Sequence, residues 1–365
     1  MTDLTLLQSG GALALAEHAP TCSAHMTYVE AGVVGLIQGV TELFPVSSLG
    51  HNVLLPAIVG GCWQQHLNVA ADQSPYLAFI VGLHVATAIA LLIYFWRDWI
   101  RIIGGFFSSI GHMIKPVPGT DRFEMRTTEE KLAWMIIIAT IPVGLVGVLF
   151  EHEFRVFFGK PIRAAIFLAI NGAILIAGEM FRRKASVRAD EEIAQERERE
   201  RALVAAGGRR TGSYRHAAGH QAVRSEEVAQ AIAADNRLAR HGYGQALIIG
   251  SAQILALLAG ISRDGVCMVA GMFRGLSRED AARFAFLLAT PVILAAGVLK
   301  IPDLLGPLGN GIRGQVIFGS VLSGVGAYLS VRFLMRYFQT RTLTPFGIYC
   351  LVAGIASMVY LGVIK

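Results

Sequence analysis

The stretch QGVTELFPVSSLGH, residues 38–51, places an amide, a carboxylate, two hydroxyls and an imidazole inside otherwise apolar sequence. Gln38 and Glu42 are four apart and share a helix face; Pro45 ends that helix, and Ser47 and Ser48 fall in the first turn of the next. Ser48 and His51, three apart, share a face of the second helix. A helix start offers unpaired N–H groups and a partial positive charge, and serine hydroxyls add donors, a combination that suits phosphate. A second stretch, LLAGISRDGVCMVAG at 257–271, sets Ser262 and Arg263 between Gly260 and Gly265 at another break. An arginine in apolar surroundings is costly, and its planar fork can hold two phosphate oxygens at once.

Each of these residues also has a purely structural reading. A Ser or His in a membrane helix commonly makes an interhelical hydrogen bond, and Glu42 with Arg263 could form only a buried ion pair. For His84 and Asn171, isolated on apolar runs, we expect that packing role. For Glu42, Ser48, His51 and Arg263 we expect chemistry, because anion grip, hydroxyl and base gather at two opposed helix breaks, which packing does not require.

The elements that position these groups are membrane helices. The chain has 365 residues and is 54% hydrophobic, with a mean hydropathy of +0.53. Six runs are long enough to cross a hydrocarbon core of about 30 Å as helix: 76–96, 132–150, 162–180, 283–300, 315–334 and 346–364. The fold expected is an all-α integral membrane protein. A net charge of +6 could point to nucleic acid, but Lys and Arg concentrate in 97–131, 182–244, 276–282 and 335–345, while 1–29 and 60–75 contain none. That asymmetry is membrane topology, with the basic segments cytoplasmic and both termini outside, and it leaves no role for nucleic acid.

Two apolar stretches, 30–59 and 245–275, are too long for one crossing and are broken near their middles. Both flanks of the first lack basic residues and both flanks of the second are basic, so each is expected to be a re-entrant hairpin, entering from opposite faces. With an offset of 215, Gly35, Gln38, Leu43, Ser47 and Gly50 fall on Gly250, Gln253, Leu258, Ser262 and Gly265. Such a correspondence is expected of an inverted-topology repeat whose broken helices meet near the bilayer midplane. The organisation is therefore an outer lead-in (1–29), a first membrane half (30–181), a charged cytoplasmic insertion (182–244) and a second half (245–365). The Glu and Arg alternation after residue 182 favours a charged, solvated helix. Cys22 and Cys62 both fall on the outer side, where a disulfide is permitted; unpaired thiols are the expectation.

In order and in span pattern, QGVTELFPVSSLGH and AGISRDG resemble the undecaprenyl-pyrophosphate phosphatase family, also called bacitracin-resistance proteins, and FAFLLATP at 284–291 looks like a further family segment. The resemblance covers the chain outside 182–244. It implies a phosphatase of the bacterial plasma membrane that converts a C55 polyprenyl pyrophosphate to the monophosphate and inorganic phosphate at the outer face. It further implies lipid-carrier recycling for cell-wall synthesis, bacitracin resistance and a divalent cation, Mg²⁺ or Ca²⁺. Carried over by position, Glu42, Ser48, His51 and Arg263 are the expected catalytic residues, Gln38, Ser47 and Ser262 the substrate-binding ones, and Glu42 the cation ligand. Gln38 stands where the family usually has glutamate, Asp264 where it has serine, Cys267 where it has threonine and Ala259 where it has proline. Asp264 could restore from the facing hairpin the carboxylate missing at Gln38, or pair locally with Arg263. The rival expectation is a polyprenyl-phosphate transporter using the same inverted-repeat site. Homo-oligomerisation is left open.

Overall fold

The computed structural model describes residues 22–23, 25–68, 75–115, 121–205 and 232–364, and the described residues contain helices and no strands. Around the first break lie α1 (Tyr28–Thr41), α2 (Ser48–Val59) and the short α3 (Gly61–His66). The first half continues with α4 (Pro75–Tyr94), α5 (Trp96–Ile114), α6 (Thr128–Phe158) and α7 (Pro161–Ala205). Residues 232–239 form α8. The second half comprises α9 (Tyr243–Ala252) with a 3-10 turn to Leu257, α10 (Arg263–Phe273), α11 (Arg278–Leu305), α12 (Arg313–Thr340) and α13 (Thr344–Val359). Six of these, α4, α6, α7, α11, α12 and α13, are long and apolar enough to cross a membrane, each overlapping one of the six expected runs. The chain is an all-α, multi-pass membrane protein.

The arms of the two broken-helix units are too short to cross alone: α1 has 14 residues and α2 has 12, or about 21 and 18 Å at 1.5 Å per residue against a core of about 30 Å. Each unit leans on the opposite half. In α1, a methyl added to Gly35 would lie 2.5 Å from Gly319 O of α12. In α9, one added to Gly250, the residue 215 positions on, would lie 2.0 Å from Ala139 O of α6. The matched glycines thus let backbone meet backbone at the second span of the other half. That reciprocal packing is the structural counterpart of the sequence correspondence.

Three segments depart from expectation. Cys22 and Cys62 are joined as a disulfide rather than left as thiols. The chain segments converge there because His66 Nδ1 bonds Glu30 (3.0 Å) at the start of α1, while His66 Nε2 donates to Ser23 O (2.8 Å). The segment 97–131, expected only to be basic and cytoplasmic, contains most of the amphipathic α5. One face of α5, bearing Asp98, Ile102, Gly105 and Ser109, is buried; Trp96, Ile100, Ile103 and Phe107 form an exposed apolar stripe, as in a helix lying in the membrane interface.

The insertion is the third. α7 carries on as helix through the charged run to Ala205, as expected. Its far end, however, is not free in solvent. Asp235 of α8 is buried and bonds Arg101 of α5 (2.9 Å) and Arg283 of α11 (2.8 Å), and Asp98 completes the quartet by bonding both arginines (2.6 and 3.1 Å). Arg237 forks onto Asp280 (2.8 and 2.7 Å), and Leu238 is buried in the core. Removing one member of such a network leaves a buried charge uncompensated, at a cost of about 3–5 kcal/mol. A deletion that spares function must therefore stop before α8.

Candidate functional site

The two breaks are made by different residues and touch one another. Pro45 follows α1, whose helical backbone it cannot extend, whereas Gly260 turns the second break at φ +111°, a conformation that favours glycine. Ser47 sits at φ 68°, the one non-glycine residue with positive φ among those described, a conformation offset by the two hydrogen bonds its hydroxyl accepts. Ser47 Oγ accepts from Gly50 N, capping α2, and from Gly260 N across the interface, both at 3.2 Å. Gly50 is needed for this approach, since a methyl on it would lie 2.9 Å from Gly260 Cα. Asn171 of α7 ties the breaks together a second time: its Nδ2 donates to Pro45 O (3.0 Å) and its Oδ1 accepts from Ser262 N (3.0 Å). The packing role expected for Asn171 is thus the joining of both breaks.

Glu42 is the hub. It is buried at the end of α1, and its Oε1 accepts from Arg263 Nη2 of α10 at 2.8 Å. Its Oε2 accepts from Gln38 Nε2 (2.8 Å) and Ser48 Oγ (2.5 Å), and His84 Nε2 of α4 stands 3.3 Å away. Gln38 in turn accepts from Asn52 Nδ2 at 2.6 Å. An amide suits this position: it donates to Glu42 and accepts from Asn52, whereas a carboxylate could do only the second. Ser262 caps α10 by accepting from Gly265 N (3.2 Å), placing Arg263 at the first position of that helix. The starts of α2 and α10, with their free N–H groups, therefore flank one carboxylate–guanidinium pair.

His51 is on the same helix but does not face Ser48. Its Nδ1 lies 2.7 Å from Ser47 O, and a carbonyl can only accept, so this nitrogen donates. That leaves Nε2 to accept from Tyr349 OH of α13 at 2.7 Å, with the two rings stacked 5.8 Å apart. The proton acceptor for Ser48 in this arrangement is Glu42. Spacing along α2 put Ser48 and His51 on one face, but a shared face is not a shared bond.

The chemistry of the donor set also bears on the expected cation. Both oxygens of Glu42 are filled by donors, two of them cationic or able to be. Asp264 is buried with neither oxygen hydrogen-bonded, but Arg263 Nε stands 3.6 Å from Oδ1. Among the described residues no three His, Cys, Asp or Glu side chains gather as a metal site. A hard divalent cation needs several oxygen ligands, and these residues do not fit one held by protein alone. Glu42, the expected ligand, has both oxygens committed to protein donors in this arrangement.

The model of the family described as bacitracin resistance protein BacA matches residues 31–207 and 213–356. The chain belongs to this family. The match takes in most of the insertion that the motif resemblance left out. The chain is similar to the undecaprenyl-diphosphatase of Mycolicibacterium paratuberculosis, with 57% identity over 339 residues, 93% of this chain and 99% of the relative. It is also similar to undecaprenyl-diphosphatase 2 of Frankia alni, 51% identical over 348 residues (90% and 96%), and to that of Chromobacterium violaceum, 36% identical over 340 residues (92% and 99%).

Against this BacA-family background, the structure gathers Gln38, Glu42, Ser47, Ser48, Ser262 and Arg263 at one locus, and holds His51 beside them on Tyr349. Sequence reasoning missed three participants. His84 was assigned to packing, yet it faces Glu42. Asn52 and Tyr349 raised no signal: one is a single polar residue beyond the motif, the other one of nine tyrosines on an otherwise apolar helix. Only proximity identifies them.

Proposed function

We propose that this chain is an undecaprenyl-diphosphatase, hydrolysing the C55 polyprenyl pyrophosphate to the monophosphate and inorganic phosphate and so recycling the lipid carrier of cell-wall synthesis. The observation that carries this reading is Glu42, which holds the Ser48 hydroxyl on one oxygen and the Arg263 guanidinium on the other, between two helix starts. A nucleophile, a proton acceptor and a phosphate clamp are thereby within one side chain of each other. The relatives reported above bear the phosphatase name, and the transporter reading has no support from them.

In the mechanism we infer, the terminal phosphate enters between the starts of α2 and α10. Arg263 shifts its fork from Glu42 to the phosphate oxygens, a trade of one anion for another that leaves no buried charge unpaired. Ser48 Oγ attacks the terminal phosphorus, its proton passing to Glu42 Oε2, and the bond to the bridging oxygen breaks to release the polyprenyl monophosphate. Water then attacks the phosphoserine as His51 Nε2 exchanges its bond from Tyr349 OH for the water and takes its proton; the Ser48 Oγ–phosphorus bond breaks, Ser48 Oγ takes back the proton held by Glu42, and inorganic phosphate leaves. Positioning and charge neutralisation supply most of the acceleration in phosphoryl transfer. A divalent cation, when bound, would supply counter-charge to the pyrophosphate.

Both broken-helix units are re-entrant in this reading, and the site opens to the outer side of the bacterial plasma membrane. The short arms support the first point; the absence of Lys and Arg from 1–29 and 60–75, with the Cys22–Cys62 disulfide on that face, supports the second. The test is phosphate release by purified protein in detergent from polyprenyl pyrophosphate labelled in its terminal phosphate. Label trapped on wild type and absent from Ser48→Ala is the expected result. Turnover in Ser48→Ala at the wild-type rate would sink the covalent route.

A further inference from the structure

α12 carries a feature that the phosphatase chemistry does not use. Near its C-terminal end, Leu329, Phe333 and Tyr337, each four residues from the next, form the apolar floor of an open groove of about 430 Å³, and Arg332, Arg336 and Arg341 border it. All three guanidiniums belong to exposed residues. Several other arginines of the described residues are paired with carboxylates: Arg101 and Arg283 with Asp98 and Asp235, Arg237 with Asp280, Arg278 with Glu179. Among the described residues no carboxylate pairs with Arg332, Arg336 or Arg341.

Two ordinary explanations fall short. Cations favour a helix C-terminus, but that field is confined to the last turn, and Arg332 lies eight residues before Thr340, about 12 Å along the axis. Simple snorkelling explains a long side chain reaching the interface, but not three charges converging on one apolar-floored cleft. The groove also continues into a lipid-facing stripe, since Val321, Val325 and Leu329 are each more than half exposed, one helical turn apart. Its inner wall is firm, because Phe333 stacks on Phe44 with ring centroids 5.9 Å apart. A fixed apolar track leading to three guanidiniums with no carboxylate partner among the described residues, on the end of the helix where basic residues concentrate, matches an anionic headgroup attached to an acyl chain.

We propose that this groove binds an anionic phospholipid, its phosphate clasped by Arg332, Arg336 and Arg341 and one acyl chain lying along Leu329 and Phe333. A small soluble anion would meet the charges and leave the apolar floor uncovered. The site lies on the basic, cytoplasmic face, opposite the opening inferred for catalysis. Each arginine near a membrane surface contributes about fivefold to the binding of anionic lipid, so removal of all three costs on the order of 100-fold.

The test is native mass spectrometry of the full chain in detergent, titrated with phosphatidylglycerol or phosphatidylcholine. Wild type should retain phosphatidylglycerol in preference to phosphatidylcholine. Arg332→Gln/Arg336→Gln/Arg341→Gln should weaken that retention about 100-fold, and Leu329→Trp, which fills the track without changing charge, should weaken it several-fold, roughly the value of one buried chain segment. The single variant Arg336→Gln, expected to lose about fivefold, carries the test if the triple variant folds poorly. Equal retention by wild type and the variants would overturn the proposal. So would displacement of the lipid by millimolar inorganic phosphate, which would make it a phosphate site, or a dimer peak lost together with the arginines, which would make the groove an interface between copies.

Discussion

Ser47 and Ser262, 215 residues apart, perform one task in the two halves of the molecule: each caps the helix after its break by accepting the N–H three residues on, at 3.2 Å. Gly35 and Gly250 likewise seat each first arm on the second span of the other half. The chemistry placed on this shared backbone differs at nearly every matched position. Pro45, Ser48, His51 and Asn52 of the first unit correspond to Gly260, Arg263, Val266 and Cys267 of the second, and Glu42 corresponds to Leu257. One unit brings acid, hydroxyl and base, and the other brings the cation that holds the acid. The difference teaches that two matched segments can keep one way of breaking a helix while carrying opposite charges. Neither unit is a site alone.

The largest expected effect comes from breaking that division of charge. Arg263→Lys keeps the positive charge opposite Glu42 and loses the fork, so turnover should fall on the order of 100-fold or more while folded yield stays near wild type, as for removal of a group that holds transition-state charge. Phosphate release and size-exclusion profiles of the same preparations check it. Near-native turnover would mean that Arg263 is a structural counter-ion and nothing more.

Next in size is the shared backbone. Gly35→Ala and Gly250→Ala each drive a methyl onto a carbonyl, at 2.5 and 2.0 Å. Each should cost roughly 1–3 kcal/mol of stability, the range for overpacking, with Gly250→Ala the worse. Thermal unfolding in detergent measures this, and a pair in which only one variant is destabilised would break the equivalence of the two arms.

How much of this was legible beforehand follows the range of the forces involved. Six spans, both breaks and the 215-residue correspondence came from hydropathy and from Pro45, Gly260 and the serines, which act on their own backbone. The gathering of Glu42, Ser48 and Arg263 was also legible, because intramembrane polar groups have few places to be satisfied. The failures concern partners set by tertiary placement. His84 faces Glu42 only because α4 packs there, and His51 turned to Tyr349 of α13 rather than to Ser48. The docking of α8 through Asp235 was hidden in a charge run whose composition reads as solvated. The Cys22–Cys62 disulfide needed the contact of His66 with Glu30 and Ser23 to bring its ends together.

A smaller effect should separate His51 from its matched position Val266. Tyr349→Phe removes one hydrogen bond, to His51 Nε2, and leaves the ring stack. A bond of this kind is worth about 0.5–1.5 kcal/mol net, so turnover should fall roughly 3- to 10-fold with KM little changed if the loss is one of orientation. A fall in binding alone would place Tyr349 at the substrate instead.

The smallest effect is the most discriminating, and it concerns Gln38 and its counterpart Gln253. Gln38→Glu would set a second carboxylate beside Glu42 Oε2, where the amide now donates at 2.8 Å. Two adjacent carboxylates repel, and a divalent cation between them relieves that repulsion while gaining charged oxygen ligands. Activity should therefore fall a few-fold when cation is scarce and recover as it is added, giving a steeper cation dependence than wild type. Gln253→Glu is the control: Gln253 reaches only toward Ala139 O, at 3.5 Å, away from Glu42 and Arg263, and should show no such response. Asp264 enters through the double variant. If its unbonded carboxylate already stands in for the one missing at Gln38, Asp264→Ser should harm wild type more than it harms Gln38→Glu, a coupling that a double-mutant cycle isolates. Additive effects with an unchanged cation midpoint would show that Asp264 serves Arg263 alone, and that Gln38 is present to satisfy Glu42 and Asn52 rather than to bind metal.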